Sequence, residues 1–360
     1  MSFVMIRSWR VGRMAPVHPR LGLRAASIVA LTALGLAGCG GSGTPPSLVG
    51  GVRTVPGRAG TIAARARVAA GPTAVAVGEG GVWVADNSAG MLTRLDPGTG
   101  RVTGPGIPVG PGPLAVAAGE GAVWVATGDG RVRRVDPRTR RVAPGGARIP
   151  GVSGLAVGAG AVWATSGAGG TVQRIDPGSG RLRGAPIRTG AGAADVAVGG
   201  GAVWVADAVA GDVARIDTGS GRVVARTRVA PAQPRGQVLA LTYGAGGVWV
   251  AKTSARLAQP IDLLRLDPAS GRVTGPALRV TGRVGLQLAA GPGAVWITDA
   301  GNALPSAPRR APSVLRVDVR RRALVGRGVR TGPDPQGIAV GAGAVWVTDA
   351  DANRVTRLVP

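Results

Sequence analysis

Short apolar runs separated by turn residues make up most of this chain. In residues 192–230 four such runs follow one another, and they cover Asp195–Val198, Ala202–Ala206, Asp212–Ile216 and Arg222–Val229. The residues between them are mostly Gly, Asp, Ser and Thr, which favour tight turns through positive φ angles and side-chain hydrogen bonds. Short apolar runs at regular spacing are typical of antiparallel β-strands. The pattern therefore predicts a four-stranded antiparallel sheet.

The same unit recurs seven times. The phrase Gly-x-Val-Trp marks its second strand and contains seven of the eight tryptophans, namely Trp83, Trp124, Trp163, Trp204, Trp249, Trp296 and Trp346. Successive tryptophans are 41, 39, 41, 45, 47 and 50 residues apart. A period of about 40–45 residues is typical of the blades of a β-propeller. Because one bulky residue per unit fits a wedge between neighbouring sheets, we interpret the tryptophans as structural.

A second repeated phrase predicts the hairpin between the third and fourth strands. It reads Asp-Pro-x-Thr/Ser-Gly in its fullest form, and its aspartates are Asp96, Asp136, Asp176, Asp217 and Asp267. An arginine stands two residues before each of them and before Asp318, which places it on the same strand face as the aspartate. These arginines could form a ring of cationic binding residues. We favour a structural role between blades, because a residue present in every blade is generally structural.

The two ends of the repeat region complement each other. The last unit ends at Arg354–Val359 without an outer strand, whereas residues 57–69 resemble an outer strand and precede the first inner strand. Pairing these two segments would remove exposed sheet edges. We therefore predict an all-β fold: a seven-bladed β-propeller of four-stranded antiparallel blades, closed by an N-terminal strand that completes the last blade.

The N-terminus is predicted to be an export signal. Five arginines precede a 12-residue apolar run at residues 25–36, which is too short to span a bilayer as an ordinary helix. The run ends in Leu36-Ala37-Gly38-Cys39, which resembles a bacterial lipobox and implies cleavage before Cys39 and lipidation of that residue. We predict a lipoprotein signal peptide at 1–38, a flexible Gly/Pro/Ser-rich tether at 39–56 and the propeller at 57–360. The expected location is the outer side of the bacterial cytoplasmic membrane.

The chain is strongly basic. Its formal net charge is +25, and removal of the five arginines before Cys39 would leave +20. Arginine-rich codon usage is one explanation, and attraction to a membrane surface or an anionic envelope polymer is the other. Nucleic acid is not expected as a partner, because one Tyr and one Phe provide no stacking platform in an exported protein. We expect a monomer. It should contain no internal disulfide, since Cys39 is the only cysteine.

The repeats GxVWVAD and RIDPxTGRV resemble those of YVTN-type and virginiamycin B lyase-like seven-bladed propellers over residues 57–360. For the lyase branch, the resemblance implies metal-assisted elimination with a histidine general base. This chain departs from that pattern, because its only histidine is His18, within the predicted signal peptide. We therefore expect a non-catalytic protein and keep a lyase-like or other propeller enzyme, acting as a metal-assisted lyase or hydrolase, as the alternative.

Five aspartates are candidates for the central channel. Asp195 is the one carboxylate among the residues nine positions before each tryptophan, on the inner strands. Asp86, Asp207, Asp299 and Asp349 stand three residues after a tryptophan, where the other blades have Thr127, Ser166 and Lys252. They could form a polar ring at the channel mouth that holds a divalent cation, or they could cap turns. We favour capping and expect no cofactor.

Departures from the repeat point to a binding surface. The interval from Trp to the hairpin Asp is 12 or 13 residues in four blades, but 18 after Trp249 and 22 after Trp296. The additions are Lys252–Ile261 and Asp299–Ser313, and Ala230–Gln237 is also irregular. Long loops on one propeller face often bind ligands. The candidate binding residues are Lys252, Arg256, Asn302, Arg309, Arg310 and Arg235, for a protein or an anionic envelope ligand.

Overall fold

The computed structural model describes residues 53–231, 236–254, 261–280, 287–299 and 312–360, and every structural statement below concerns these residues. They form 29 β-strands in seven separate sheets. None of them belongs to a helix long and apolar enough to cross a membrane.

The strands follow one another along the chain with short connections. Before the first blade lie β1 (Thr54–Val55) and β2 (Thr61–Arg67). Blades 1 to 3 contain β3 (Pro72–Gly78), β4 (Gly81–Asp86), β5 (Met91–Leu95), β6 (Ile107–Pro108), β7 (Ala115–Gly119), β8 (Ala122–Thr127), β9 (Arg131–Val135), β10 (Ala147–Arg148), β11 (Val152–Gly158), β12 (Ala161–Ser166), β13 (Thr171–Ile175) and β14 (Ile187–Arg188).

Blades 4 to 7 continue the same order. They contain β15 (Ala193–Gly199), β16 (Ala202–Asp207), β17 (Asp212–Asp217), β18 (Val223–Arg228), β19 (Gly236–Gly244), β20 (Gly247–Ser254), β21 (Ile261–Leu266), β22 (Leu278–Val280), β23 (Leu288–Gly291), β24 (Ala294–Asp299), β25 (Ser313–Asp318), β26 (Ala323–Val325), β27 (Pro335–Gly341), β28 (Ala344–Asp349) and β29 (Arg354–Val359). The predicted seven blades of four antiparallel strands are confirmed.

The predicted closure of the ring is also confirmed. The last sheet has the order β2-β29-β28-β27, so the N-terminal strand β2 is the outer strand of blade 7. Its pairing with β29 is antiparallel and runs from Thr61 opposite Val359 to Arg67 opposite Arg354. One detail differs from expectation: Thr54 and Val55, placed in the tether by sequence, form β1 and pair in parallel with β26 as a fifth strand of blade 6.

The second strand of each blade is buried on both sides. All six residues of β4 are buried, and its side chains alternate between two core clusters. Val82 and Val84 pack with Trp346 of blade 7, whereas Trp83 packs with Val123 of blade 2. Seven such clusters lie between successive blades, one at each boundary of the ring. The tryptophans therefore act as the wedges that the sequence predicted.

A ring of glycines sets the distance between inner strands. The indole N–H of Trp83 donates to the carbonyl of Gly78, five residues earlier, at 3.0 Å, and five other blades repeat this bond. A methyl group on Gly78 would lie 3.0 Å from Ala118 of the next blade. The equivalent glycine of blade 7, Gly341, lies against Val77 of blade 1, where a methyl group would approach to 2.6 Å. The absence of a side chain therefore permits close packing all around the ring.

The repeated arginines lie beside the tryptophans. Arg94 is the direct cross-strand partner of Trp83, and its guanidinium carbon lies 5.4 Å from the ring centroid. Four other blades show the same stacking at 5.4 to 5.8 Å, a favourable cation–π geometry. The Arg94 guanidinium also donates to the carbonyl of Gly80 at 2.9 Å. These contacts fit the structural interpretation of the arginines.

Antiparallel alternation gives the ring two different ends. Turns between first and second strands, such as Glu79–Gly80, and between third and fourth strands, such as Asp96–Gly100, lie at one end, which we name the turn face. Turns between second and third strands, such as Asn87–Gly90, and the connections between blades, such as 109–114, lie at the opposite end, which we name the loop face.

Gly341→Ala should destabilise the protein at the seam between blades 7 and 1. The new methyl group would lie 2.6 Å from Val77 Cγ1, and overpacking of this kind costs about 1–3 kcal/mol. Thermal or urea unfolding measures the loss, and adding Val77→Ala should recover part of it. The matched control is Gly178→Ala, where the nearest atom would be 3.5 Å away. Equal stability of the two single variants would contradict the packing role of Gly341.

Candidate functional site

The three irregular connections all leave the loop face, from consecutive blades. Ala230–Gln237 joins β18 of blade 4 to β19 of blade 5, Lys252–Ile261 joins β20 to β21 in blade 5, and Asp299–Ser313 joins β24 to β25 in blade 6. The described residues at their ends therefore lie on one sector of the loop face, which we name the long-loop sector. Five candidate binding residues of these connections lie outside the described residues, namely Arg235, Arg256, Asn302, Arg309 and Arg310.

Lys252 is part of a charged group at the base of the long-loop sector. Its Nζ lies 3.1 Å from Asp262 Oδ2, directly across the β20–β21 hairpin. The other oxygen of Asp262 lies 3.6 Å from Arg279 Nε on β22. The Lys252 side chain is only 17% exposed. Lys252 is thus held by its own blade and shares the single carboxylate of Asp262 with Arg279, which leaves this group of three side chains with a net positive charge.

The polar residues at the ends of the second strands are buried. Asp86, Thr127, Ser166, Asp207, Asp299 and Asp349 are each at most 4% exposed. Asp207 Oδ1 accepts hydrogen bonds from the N–H groups of Val209 and Ala210 at 2.9 and 2.8 Å. Asp349 Oδ1 accepts one from Ala352 N at 3.0 Å. For Asp207 and Asp349 these contacts match the capping alternative, because both carboxylates accept hydrogen bonds from amides of the turn that follows.

Three of these carboxylates keep one buried oxygen without a hydrogen bond from another described residue. The atoms are Asp86 Oδ1, Asp207 Oδ2 and Asp349 Oδ2. Burial raises the pKa of Asp86 to about 7, although the Thr93 hydroxyl donates to its Oδ2 at 2.5 Å and opposes the shift. Burial also raises the pKa of Asp349. Among the described residues, however, no three His, Cys, Asp or Glu side chains come together as a possible metal site.

Asp195 connects two inner strands. Its Oδ2 accepts a hydrogen bond at 2.9 Å from Leu241 N in blade 5, and its Oδ1 accepts one from Val196 N in its own blade. Burial raises the pKa of Asp195 to about 6, because the two amide hydrogen bonds only partly offset desolvation of the charged form. The channel carboxylate predicted from the sequence is therefore engaged by the backbone of the neighbouring blade.

Other hydroxyl groups on the first and second strands make similar connections between blades. Ser153 Oγ donates to Ala193 O of the next blade at 3.0 Å, and Thr298 Oγ1 donates to Gln336 O at 3.3 Å. Thr73 Oγ1 lies 3.4 Å from Pro113 O. These polar groups of the described residues therefore connect neighbouring blades.

Sequence reasoning missed several charged residues at the loop face. Asp212 lies opposite Asp207 across the β16–β17 hairpin, and Arg226 Nη1 lies 3.7 Å from its Oδ1 while donating to Thr189 O of blade 3. Burial raises the pKa of Asp212. Asp262 and Arg279 were missed in the same way. The available signal was hairpin register, because a charged residue at the start of a third strand faces the residue that ends the second.

Comparisons with known proteins support the fold. No family model and no curated protein matches this chain. Among solved structures, hydrazine synthase from Kuenenia stuttgartiensis is similar, with a TM-score of 0.66, 17% sequence identity and coverage of 81% of this chain and 96% of that chain. Virginiamycin B lyase from Staphylococcus aureus has a TM-score of 0.61 and 18% identity, covering 82% and 98%. The expected resemblance to virginiamycin B lyase-like propellers is thus confirmed for the fold.

A second structure of the same lyase is also similar to this chain. It is a catalytically inactive variant, in which alanine replaces a histidine, with quinupristin. Its TM-score is 0.60 at 18% identity, covering 81% of this chain and 95% of that chain. At these identities the likeness concerns the arrangement of the blades alone.

Replacing Asp195 by Asn should change how stability depends on pH. The pKa of about 6 in the folded protein exceeds the value of about 3.9 in an unfolded chain, so the folded state holds this proton more tightly. The stability that the proton contributes is complete below about pH 4 and is lost as the pH rises to about 6. The wild-type unfolding free energy minus that of Asp195→Asn should therefore fall by roughly 2 kcal/mol between about pH 4 and pH 7.

Asp176→Asn is the matched control for this pH series. Hydrogen bonds from Ser179 lower the pKa of Asp176, so its contribution is present at neutral pH and lost as the pH falls. The difference between wild type and this variant should rise with pH, opposite in sign to the Asp195 series. A difference for Asp195→Asn that does not change with pH would contradict the assignment.

Proposed function

We propose that this protein is a lipid-anchored, extracytoplasmic β-propeller that binds a protein or an anionic envelope ligand through the long-loop sector, without catalysis. The observation that carries the proposal is the position of the three irregular connections. All three begin and end on one face of blades 4 to 6, and the turns between second and third strands there have six residues in blade 5 and thirteen in blade 6, against three or four in the other blades. A rigid ring that presents extra length in one sector is typical of a binding scaffold.

The charge of the chain supports an anionic ligand. The connections contribute Lys252, Arg256, Arg309 and Arg310 to blades 5 and 6, and Arg235 precedes β19. Asp299 is the one acidic residue in the sequence of these three connections, and Asp262, which directly follows the second, is paired with Lys252. A group of arginines with few acidic neighbours favours phosphate or carboxylate partners, which a guanidinium binds with two parallel hydrogen bonds.

The lyase alternative is less favoured by the residues. In the similar lyase from Staphylococcus aureus, replacement of a histidine by alanine gives a catalytically inactive variant. This chain has a single histidine, His18, which precedes the predicted lipidation site. The channel carboxylate Asp195 binds two backbone amides, which leaves it poorly placed to act as a general base.

The purified protein should leave quinupristin intact in the presence of a divalent cation. The physical reason is the missing histidine base, and the measurement is mass spectrometry of the antibiotic over time. Virginiamycin B lyase from Staphylococcus aureus serves as the positive control. Conversion of quinupristin, together with tight stoichiometric cation binding by calorimetry, would favour the enzyme alternative.

Shortening the long loops should remove binding but not anchoring. Replacing residues 255–260 and 300–311 by short Gly-Ser turns should abolish capture of envelope components that the intact protein retains, because these residues carry the arginines. Replacement of residues 167–169 on the loop face of blade 3 is the matched control. Unchanged capture by the loop variant would contradict the proposed site.

The lipid anchor is tested with Cys39→Ala, which should abolish fatty-acid labelling and release the protein from membranes.

A further inference from the structure

The N-terminal segment joins the propeller at the turn face. Strand β1 is parallel to β26, with Thr54 opposite Leu324 and Val55 opposite Val325. As a fourth strand, β26 runs from the turn face towards the loop face, and so does β1. The amide of Leu324 donates to Arg53 O at 2.9 Å, so Arg53 lies at the turn-face end of β1. The described chain therefore enters β1 at its turn-face end.

Exposed arginines are repeated around this same face. In blades 1 to 5 the residue five positions after the turn aspartate is an exposed arginine: Arg101, Arg141, Arg181, Arg222 and Arg272. In blade 6 the turn itself carries the exposed Arg321. Their guanidinium groups form no ion pair with another described residue. Each turn aspartate, by contrast, is used locally: Asp96 Oδ1 accepts from the amide and hydroxyl of Thr99, both at 2.7 Å.

Apolar side chains accompany these arginines. Val102, Leu182 and Val273 each directly follow one of them and are 39%, 44% and 38% exposed. Among the described residues seven large apolar side chains are exposed, and six of them lie towards the turn face. The exception is Val209, in the turn between β16 and β17. Exposed apolar residues next to cations are characteristic of surfaces that sit at a membrane interface.

We propose that the turn face is a membrane-contact surface, which rests on an anionic bilayer and directs the loop face away from it. This inference rests on the proposed lipid anchor at Cys39. Thirteen residues separate Cys39 from Arg53, and a Gly/Ser-rich chain of that length has a mean extension of about 20 Å. The anchor would therefore hold the turn face close to the headgroups at a high effective concentration.

The distribution of the arginines favours a lipid surface over a polymer chain. They occur one in each of blades 1 to 6, at or just after the turn between the third and fourth strands, because the third strand of every blade ends at this face. A single polymer strand would need a stripe or a groove, whereas a bilayer presents anionic headgroups under all blades at once. The exposed valines and leucine beside the arginines would find an apolar environment only in the bilayer.

The orientation can be measured on the lipidated full-length protein in vesicles of phosphatidylcholine with 30% phosphatidylglycerol, a composition of roughly physiological anionic charge. Because acylation consumes Cys39, an introduced cysteine is the only free thiol. Gly178→Cys places a fluorophore on the turn face of blade 3, and Ala168→Cys places one on the loop face of the same blade; both positions are exposed. A nitroxide lipid labelled at the headgroup should quench the first label and leave the second bright.

Two triple variants test whether the arginines cause this orientation. Arg101, Arg181 and Arg272 changed to Ser should lower the equilibrium constant for the turn-face contact roughly tenfold or more, since each cation near an anionic surface contributes separately. Arg148, Arg188 and Arg330 are exposed arginines nearer the loop face, and changing these three to Ser removes the same charge. This control should leave the quenching of the Gly178→Cys label unchanged. High salt should weaken the contact.

Equal quenching of both labels, or equal loss in the two triple variants, would overturn the proposal. So would unchanged quenching in vesicles of pure phosphatidylcholine, because the contact would then not depend on anionic lipid. The anchor is judged separately. If Cys39→Ala releases the protein while the labels show no preferred face, the anchoring stands and the orientation fails. If the Cys39→Ala protein stays on the membrane as the wild type does, the proposed lipid anchor is wrong, and the orientation proposal that rests on it is wrong as well.

Discussion

Burial of the second strand on both of its faces is the constraint on which this structure depends. Val82 and Val84 face blade 7 while Trp83 faces blade 2, so a single blade cannot bury its own apolar residues. Each sheet needs a neighbour on either side, and this requirement is met for all blades only when the ring closes. The pairing of β2 with β29 is therefore what completes the core of the first and last blades.

The same constraint determines what the centre of the ring can do. Glycines such as Gly341 allow inner strands to approach closely, and the polar groups among them connect one blade to the next. Asp195 binds Leu241 N across a blade boundary. A channel whose polar groups are engaged in this way is a rigid support. We propose that the ligand binds at the loop face and that the membrane contacts the turn face, because side chains at both faces extend into solvent.

Much of the fold could be predicted because the same strand-and-turn pattern occurs seven times in the sequence. The spacing of Trp83 and its six equivalents predicted the blades, and the missing outer strand predicted the closure, since a strand edge is stable only when paired. The parallel pairing of Thr54–Val55 with β26 was not predicted. Two residues carry no pattern of their own, and this contact depends on where blade 6 happens to lie.

The candidate site was less accessible from sequence. Lys252, Asp86 and Asp349 were recognised as polar residues at strand ends, because their distance from a tryptophan is fixed. Their burial and partners, including the contact between Lys252 and Asp262, came only from the tertiary structure. Local periodicity determines which strands form and in which order. The burial and hydrogen bonds of a carboxylate depend on residues of other strands and neighbouring blades. The distances between these residues and the carboxylate cannot be derived from their spacing along the sequence.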